Sequence, residues 1–433
     1  MRKTSLHASI RQLPVGQGGF LIGHIRDDKS HVLTYAFDCG SINREHFEQG
    51  LTFCSPGKID ILFVSHLDKD HINGIDLLAA HMQIDTVILP CLDPLHVTMI
   101  ACEAIGDTGI AASVRSFLVD PSTWFSDRGV KQILYVQRAD ENADAHPFNP
   151  NSERSPEDNI VPHDENINID SPYTIRSQSF GEPRSLSSGK ITARTLSEHS
   201  SISSKAKGGS PSWLLVPYVH PFPDHAIVLF RKAVGKLLPR TFNSREVASK
   251  AFTKNLLEIL SVKQSRKTLK ACYSILSTDN NKPSLSLYSG PHLATSDINI
   301  SSTDESVYWP FPCPHLRVKS SGGRAVKKGG AWLSTGDANL EMRDTRTQWL
   351  QRFQHLIDSV DVFVLPHHGS NDSIHDEVVT RLKGSMMVAC AAAGRTKHPH
   401  ELLLGRLHVL DQRVWQVSEN TESGYTLNVS ITA

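Results

Sequence analysis

Two imidazoles and two carboxylates lie within six consecutive residues of this 433-residue chain, at His66, Asp68, Asp70 and His71. Imidazole nitrogen and carboxylate oxygen both suit divalent ions such as zinc, manganese or iron. Four such groups on one short segment do not reach a single ion easily, whereas two neighbouring ions can share them. The segment therefore predicts a two-metal hydrolase site.

The residues around this segment predict how the fold presents it. Residues 59–65 form an apolar, β-branched run that is typical of a buried strand, and Asn73-Gly74 form a turn before the apolar run 75–80. This strand–loop–helix setting places the segment at a sheet edge. A solvated polar loop is the alternative, and the context favours metal binding.

Two further candidate ligands follow apolar runs later in the chain. Asp337 comes shortly after residues 332–334, and His367 comes shortly after residues 360–365. Ligands on loops at strand ends are held by a rigid sheet and remain open to substrate. The plain alternatives are a turn residue for Asp337 and a capping or core histidine for His367.

Several segments together resemble a known family. The segment 66–71 is similar to the metal motif of the metallo-β-lactamase fold, in the variant found in the hydrolase domain of ComEC/Rec2-type DNA-uptake proteins. Further segments resemble that subgroup in the same order: residues 15–19, 37–40, 280–287, 333–337, 365–370 and 398–400. Gly19 departs from the subgroup, which carries an aspartate there. The resemblance implies an α/β fold, namely a four-layer αβ/βα sandwich.

The resemblance also implies a set of ligands for two divalent metal ions, zinc or manganese. By the family pattern, His66 and Asp68 hold one ion, and a second ion is held by Asp70, His71 and His367. Asp337 bridges both, since a carboxylate has two oxygens. The fold usually adds a third histidine to the first ion. His220 is the candidate, because it ends an apolar run, and a loop histidine before proline is the alternative.

Catalytic and substrate-binding candidates lie in the same segments. Asp70 is expected to orient the attacking water as well as to bind metal. His368 and His400 are candidates for stabilising an oxyanion or protonating a leaving group, which suits an imidazole near pH 7. The expected substrate-binding residues are Asn281, Ser370, Lys327 and Lys328. For Ser370, a turn role is the stronger alternative.

Positive charge is concentrated locally, although the whole chain has a formal net charge of zero. Residues 231–270 contain eleven Lys or Arg and two acidic residues. Apolar residues at helical spacing predict amphipathic basic helices over the insertion 226–272. Lys327 and Lys328 belong to a second basic, glycine-containing loop. Both features favour a polyanionic substrate, and a solvated helix face is the alternative.

The expected organisation is a single hydrolase domain over residues 1–433, split by insertions. The range 140–212 is acidic and serine-rich, with ten acidic and three basic residues between 140 and 187. Such a composition buries too little apolar surface to offset the entropy of ordering. We therefore expect a disordered insertion over 140–212.

The sequence also bears on compartment. No apolar run approaches the roughly 18 residues that span a bilayer, so no membrane span is expected. The seven cysteines include no Cys-x-x-Cys pair and do not suggest a disulfide framework. They are expected to be small core residues in a reducing, cytoplasmic compartment.

The function expected from these features is that of a metal-dependent phosphodiesterase or nuclease. Its substrate would be DNA, RNA or a nucleotide, cleaved by metal-activated water. Two alternatives remain open. One is a non-catalytic module that binds nucleic acid or protein, and the other is a lactam or thioester hydrolase, since fold alone does not determine function.

Overall fold

The computed structural model describes most of the chain. The described residues are 4–55, 57–103, 112–137, 172–176, 191–197, 200–206, 211–219, 224–235, 237–238, 248–277, 284–292, 297–303 and 328–432. Of the predicted site residues, His220, Asn281 and Lys327 lie outside these ranges.

Strands make up the centre of the molecule. In chain order they are β1 (Ser5–Gln12), β2 (Gly18–Asp27), β3 (His31–Ser41), β4 (Gly57–Phe63), β5 (Met82–Pro90), β6 (Gln132–Val136), β7 (Thr174–Arg176), β8 (Thr192–Leu196), β9 (Ser201–Lys205), β10 (Ser212–Val219), β11 (Leu285–Pro291), β12 (Asp297–Ser302), β13 (Ala331–Ser334), β14 (Val360–Val364), β15 (Met386–Cys390), β16 (Arg413–Val417) and β17 (Tyr425–Thr432).

Helices flank these strands. They are α1 (Arg44–Leu51), α2 (Lys69–Ile72), α3 (Ile75–His81), α4 (Pro94–Glu103), α5 (Ala112–Val119), α6 (Pro121–Ser126), α7 (Asp224–Val234), α8 (Lys250–Ser261), α9 (Lys263–Ser277), α10 (Arg343–Phe353), α11 (Asp376–Arg381) and α12 (Glu401–Val409).

The strands form two mixed sheets. The first sheet has the order β12-β17-β1-β2-β3-β4-β5-β6-β8, and the second has the order β16-β15-β14-β13-β11-β10-β9-β7. Strands β3, β4, β5, β6 and β8 are parallel to one another, as are β13 to β16. The architecture is therefore a mixed α/β sandwich, in agreement with the α/β class expected from the sequence.

Buried apolar side chains define the layers. Residues of both sheets, such as Phe63 and Trp213, share one core between the sheets. A second core, which includes Leu256, joins the first sheet to α1, α3 to α6 and α7 to α9. A third core, around Trp349 and Leu403, joins the second sheet to α10, α11 and α12. The layers thus follow the order helices, first sheet, second sheet, helices.

Candidate site residues meet where the parallel strands of both sheets end, which we call the carboxyl edge. Residues 65 and 66 follow β4, Asp337 follows β13, and His367 follows β14. The two sheets are tied together here, because the Leu285 N–H donates a 2.8 Å hydrogen bond to the Ser65 carbonyl. The carboxyl ends of parallel strands are the usual location of functional loops in α/β folds.

The prediction of disorder over 140–212 is wrong for the residues that the structure describes there. Strands β7, β8 and β9 lie in this range, and Leu196 and Ile202 are buried. Short edge strands can have a polar composition because backbone hydrogen bonds to their neighbours hold them. The remainder of the range lies outside the described residues.

The helices predicted over 226–272 are present in the described part of that range, as α7, α8 and α9. The four apolar residues at helical spacing are all buried, namely Phe252, Leu256, Leu257 and Leu260. The amphipathic pattern therefore predicted both the helices and the side of α8 that packs inward.

The structure also bears on the predictions of small core cysteines and of no membrane span. Cys39, Cys54, Cys91, Cys102, Cys272 and Cys390 are buried free thiols. This agrees with the prediction of small core residues, and Cys313 lies outside the described residues. No helix in the described part of the chain combines the length and apolar character needed to cross a membrane.

Candidate metal centre

The ligand loop packs directly onto two glycines. Gly18 of β2 and Gly40 of β3 lie so close that a Cβ on Gly40 would come within 2.6 Å of the Asp70 backbone. A Cβ on Gly18 would come within 2.8 Å of the Asp70 carbonyl oxygen and 2.2 Å of that of Gly40. Only glycine permits this approach. The glycines of segments 15–19 and 37–40 therefore serve to seat the loop.

A tight turn aims the Asp337 side chain. Gly336 has a φ of +55°, and a Cβ there would lie 2.1 Å from Ser284 Oγ. The Asp337 N–H donates a 3.0 Å hydrogen bond to the same Ser284 Oγ. The turn after β13 is thus fixed by the start of β11, which runs antiparallel beside it.

Asp337 lies between two groups of side chains, and each of its oxygens faces one group. Its Oδ2 is 3.5 Å from His66 Nε2 and 3.9 Å from His367 Nε2. Asp68 Oδ2 is also 3.5 Å from His66 Nε2. We call these residues the first cluster: His66, Asp68, His367 and Asp337 Oδ2.

The other oxygen faces the second cluster. Asp337 Oδ1 is 3.5 Å from His71 Nε2 and 4.0 Å from His368 Nε2. Asp70 Oδ2 is 3.1 Å from His368 Nε2. The second cluster therefore comprises Asp70, His71, His368 and Asp337 Oδ1. Ligand atoms of Asp70, His71 and His368 all lie within 4.8 Å of one another.

Buried atoms in both clusters lack hydrogen bonds. Within the described residues, His66 Nε2, His71 Nε2 and Asp337 Oδ1 are buried and have no hydrogen-bond partner. These three residues also bring ligand atoms within 4.8 Å of one another. Unsatisfied buried polar atoms are rare, because each costs about 1–3 kcal/mol. Atoms that converge in this way fit a divalent cation, which would satisfy all of them.

Asp38 and Ser65 orient the imidazoles of His66 and His71 through contacts to their Nδ1 atoms. The Ser65 N–H and Oγ donate to Asp38 Oδ1 and Oδ2, each at 2.7 Å. His71 Nδ1 donates to Asp38 Oδ2 at 2.8 Å, and His66 Nδ1 lies 2.9 Å from Ser65 Oγ. With both Nδ1 atoms engaged, Nε2 of each ring faces Asp337. Such outer contacts fix the tautomer of metal-binding histidines.

The backbone is strained at the same place. Asp38, His367 and His368 have φ values of +57°, +49° and +56°. Among the described residues, Asp411 is the other non-glycine residue with positive φ. The left-handed region costs a non-glycine residue about 1–3 kcal/mol, and such strain concentrates at functional sites. Here it turns adjacent histidines toward different oxygens of Asp337.

Opposite charges dominate the electrostatics of the metal-free site. Burial disfavours the charged form of His66, but the Asp337 and Asp68 carboxylates outweigh burial and raise the pKa of His66 to about 9. Burial is likewise outweighed at His71, whose pKa is raised by Asp38 and Asp337. The imidazoles in turn hold the pKa of Asp337 well below its usual value, despite its burial. The carboxylate is therefore ionised at neutral pH.

The structure places two adjacent histidines in positions that differ from those predicted. His367 was expected beside Asp70 and His71, but its Nε2 lies nearest to Asp337 Oδ2, in the first cluster. His368 was expected to be catalytic, yet its Nε2 lies in the second cluster. Its Nδ1 donates to the Cys390 carbonyl at 2.9 Å, as is typical of an oriented ligand.

His398 replaces His400 beside the clusters. The Nδ1 of His400 accepts a hydrogen bond from the Leu402 N–H, so this side chain caps α12. The ring of His398 instead lies 5.2 Å from that of His367 and 6.0 Å from that of His368. Burial and these two rings lower the pKa of His398 to about 4.

Lys328, which was expected to bind substrate, precedes β13 and lies at the edge of the second sheet opposite the clusters. Its ammonium donates to Ser385 Oγ at 3.2 Å, and its backbone N–H donates to Asp361. Ser370 lies beside the site, where its N–H donates to the His367 carbonyl and closes the turn.

No role was predicted for three residues that shape the site, namely Asp38, Ser65 and His398, and Ser284 was expected only to turn the backbone or to contact phosphate. Asp38 and His398 both belong to segments that resemble the family, so their positions were a usable signal. Ser65 and Ser284 act through hydrogen bonds to residues distant in sequence. No local pattern announces such contacts.

Comparison with protein-family models gave no match to this chain. A search of curated proteins gave no significant match either. The converging side chains of the two clusters are therefore what indicates a metal centre.

Proposed function

We propose that this chain is a metal-dependent hydrolase of the metallo-β-lactamase type that cleaves phosphodiester bonds in DNA, RNA or nucleotides. The observation that supports this most directly is the position of Asp337. Its two oxygens face separate pairs of imidazoles, which is the arrangement that two neighbouring cations require. The layer order of helices, sheet, sheet and helices agrees with this fold type.

Each cluster would hold one divalent ion, zinc or manganese, and Asp337 would contribute to both. Imidazole nitrogens with carboxylate oxygens are a donor set that suits these metals. When bound, such ions lower the pKa of a water molecule and neutralise the charge that develops on a phosphodiester. His220, which was expected to complete the first cluster, lies outside the described residues.

The side chains of the two clusters form a buried floor and an accessible rim. His66 and His71 have side chains that are 5% and 4% exposed, so they form the floor of the site. Asp68 and His367 are 20% and 27% exposed and form its accessible rim. A substrate would approach from this rim. His398, which lies against His367, would then hydrogen-bond a substrate oxygen.

Phosphodiester chemistry is favoured over lactam or thioester hydrolysis by the exposed positive charge of the basic helices. Helices α7 to α9 carry exposed lysines, and the segment that contains them leaves and re-enters the fold at the carboxyl edge. A neutral lactam has no use for such a surface, whereas a polyanion does.

A direct assay tests the proposal. The protein is stripped with a chelator, reloaded with manganese or zinc, and given labelled single-stranded and double-stranded oligonucleotides and a small phosphodiester. We expect metal-dependent cleavage that is lost in Asp70→Asn, since Asp70 contacts His368 and belongs to the second cluster. Full activity in this variant, or equal activity in the stripped protein, would remove the metal site from the mechanism.

A further inference from the structure

The segment that contains α7, α8 and α9, which we call the basic insertion, begins and ends at the carboxyl edge. It leaves the second sheet after Val219, which pairs with Leu285 at the end of β11 that lies beside the site. The chain returns at Ser284, whose Oγ accepts the Asp337 N–H. Both ends of the insertion are therefore next to the clusters.

The body of the basic insertion packs on the other half of the sandwich. Phe252, Leu256 and Leu260 belong to the core outside the first sheet. The Ala248 N–H also donates a 2.8 Å hydrogen bond to the carbonyl of Leu92, which follows β5 at the same edge. With ends on the second sheet and a body on the first, the insertion bridges the two halves at the edge that holds the clusters.

The basic side chains of the insertion fall into two groups. Lys250 forms an ion pair with Asp120, and Arg266 donates to the carbonyls of Leu260 and Ser261. These contacts stabilise the helices. In contrast, Lys254, Lys263 and Lys267 are exposed and make no ion pair within the described residues. Lys263 and Lys267 are four residues apart, so they lie on one face of α9.

Among the insertion residues whose side-chain burial the structure describes, no aromatic ring is exposed. The exposed large apolar residues there are Val228, Leu229 and Val262, while Phe230 and Phe252 are buried. Base stacking on aromatic rings therefore does not contribute at these residues. Binding through lysines alone acts on phosphates and is independent of base sequence.

We infer that Lys254, Lys263 and Lys267 bind the phosphate backbone of a polynucleotide whose scissile bond lies at the carboxyl edge, without reading its sequence. This inference rests on the proposed function, because it names the substrate class of the same site as a polymer. An acidic protein or an anionic membrane would present a different pattern of charge, and both serve as outcomes of the test.

The test measures the salt dependence of binding in an Asp337→Asn background, in which cleavage is not expected. The insertion variant carries Lys254→Gln, Lys263→Gln and Lys267→Gln. The matched control carries Arg26→Gln, Lys29→Gln and Lys383→Gln, three exposed basic residues outside the insertion. Affinity for a labelled single-stranded oligonucleotide is followed by fluorescence anisotropy over a salt series, with circular dichroism to check folding.

We expect the insertion variant to bind at least about tenfold more weakly than the control at low salt. Its slope of log affinity against log salt should fall by about 2, since each phosphate contact on a single strand contributes about 0.7. Equal affinities and slopes in the two variants would overturn the inference. So would a parent protein that binds anionic vesicles or polyglutamate but no oligonucleotide.

Cleavage of a small phosphodiester by the metal-loaded wild type separates this inference from the proposed function. A molecule of that size does not need the insertion. Absence of cleavage with normal oligonucleotide binding would contradict the proposed hydrolase and leave the polynucleotide surface in place. Cleavage of the small ester without oligonucleotide binding would leave the hydrolase and overturn the surface.

Discussion

Charged side chains lie at both edges of the sandwich, but their hydrogen bonding differs between the two edges. At the edge opposite the clusters, Asp60 accepts the Thr34 N–H at 2.8 Å and pairs with Lys58 at 2.9 Å. Lys58 also pairs with Asp85 at 2.6 Å. Each of these three side chains has a partner within 2.9 Å. At the carboxyl edge, buried atoms of His66, His71 and Asp337 have no hydrogen-bond partner within the described residues.

The distances to the nearest partners distinguish a structural charge cluster from a candidate functional one. A carboxylate whose oxygens accept from backbone and lysine groups is fully used by the fold itself. A carboxylate that converges with imidazoles at 3.5 Å, without forming hydrogen bonds, leaves a space that a ligand can complete. Asp38, His367 and His368 have positive φ values and lie at the carboxyl edge. Backbone strain of this kind is expected at a functional site.

The largest expected effect comes from exchanging one aspartate at each edge. Asp337→Asn should abolish metal-dependent cleavage, by at least about 10³-fold, because both clusters lose their shared carboxylate. Asp60→Asn should leave cleavage intact and lower the free energy of unfolding by about 1–3 kcal/mol, because a buried, fully paired carboxylate is lost. Activity assays and urea unfolding measure the two effects. The comparison fails if both variants lose activity equally.

A second prediction concerns the support behind the clusters. Asp38→Asn removes the carboxylate that holds His71 Nδ1 and Ser65, so the imidazoles lose their fixed orientation. We expect metal affinity to fall by about 10–100-fold, the usual effect of an outer contact. Competition with a chelating dye measures this affinity. An unchanged affinity would show that Asp38 serves only the fold.

Stability should depend on pH differently with and without metal. In the metal-free protein, burial opposes the charged form of His66, but Asp337 and Asp68 raise its pKa to about 9. Because the folded pKa is raised, the stabilisation is complete below the unfolded value of about 6.5 and is lost as pH rises through about 9. The Tm of chelated protein should therefore fall across this range.

Metal should remove that dependence. A metal-bound imidazole is already deprotonated, so metal affinity should rise with pH and the Tm of the loaded protein should not fall over the same interval. Thermal unfolding of chelated and loaded protein, in matched buffers, gives both curves. Parallel curves would contradict an ion at His66.

The smallest effect is expected at Lys328, which lies at the edge opposite the clusters. Lys328→Ala removes one hydrogen bond to Ser385 Oγ. Stability should change by about 1 kcal/mol or less, and cleavage and metal content should remain at wild-type values. A clear loss of oligonucleotide cleavage would indicate that Lys328 binds substrate, as the sequence predicted. It would contradict the view that only the carboxyl edge is functional.

Much of the site could be predicted because its signals are local. A buried strand followed at once by His66, Asp68, Asp70 and His71 required only periodicity and metal chemistry. Asp337 was identifiable in the same way, from a short apolar run and a glycine turn. The helices of the basic insertion followed from apolar spacing, as the burial of Leu256 and Leu260 shows.

What the sequence did not reveal depends on geometry within single turns and on pairing at a distance. His367 and His368 are adjacent, and only their left-handed backbone decides which cluster each one faces. His398 and His400 lie in one loop. His400 accepts a hydrogen bond from the Leu402 N–H and caps α12, whereas His398 lies beside the clusters. Strands β8 and β9 depend on backbone pairing with β6 and β10, which composition does not record. Lys328 was expected among the substrate-binding residues, although its place before a parallel strand already indicates the opposite edge.

Metal content provides the most direct test of the central claim, that the clusters at the carboxyl edge bind a pair of cations through a shared carboxylate. Wild type and Asp337→Asn are stripped, reloaded with excess zinc or manganese, desalted, and measured by elemental analysis. We expect about two ions per wild-type chain and fewer than about one per Asp337→Asn chain. A wild type without stoichiometric metal, or a variant that retains the full amount, would contradict it.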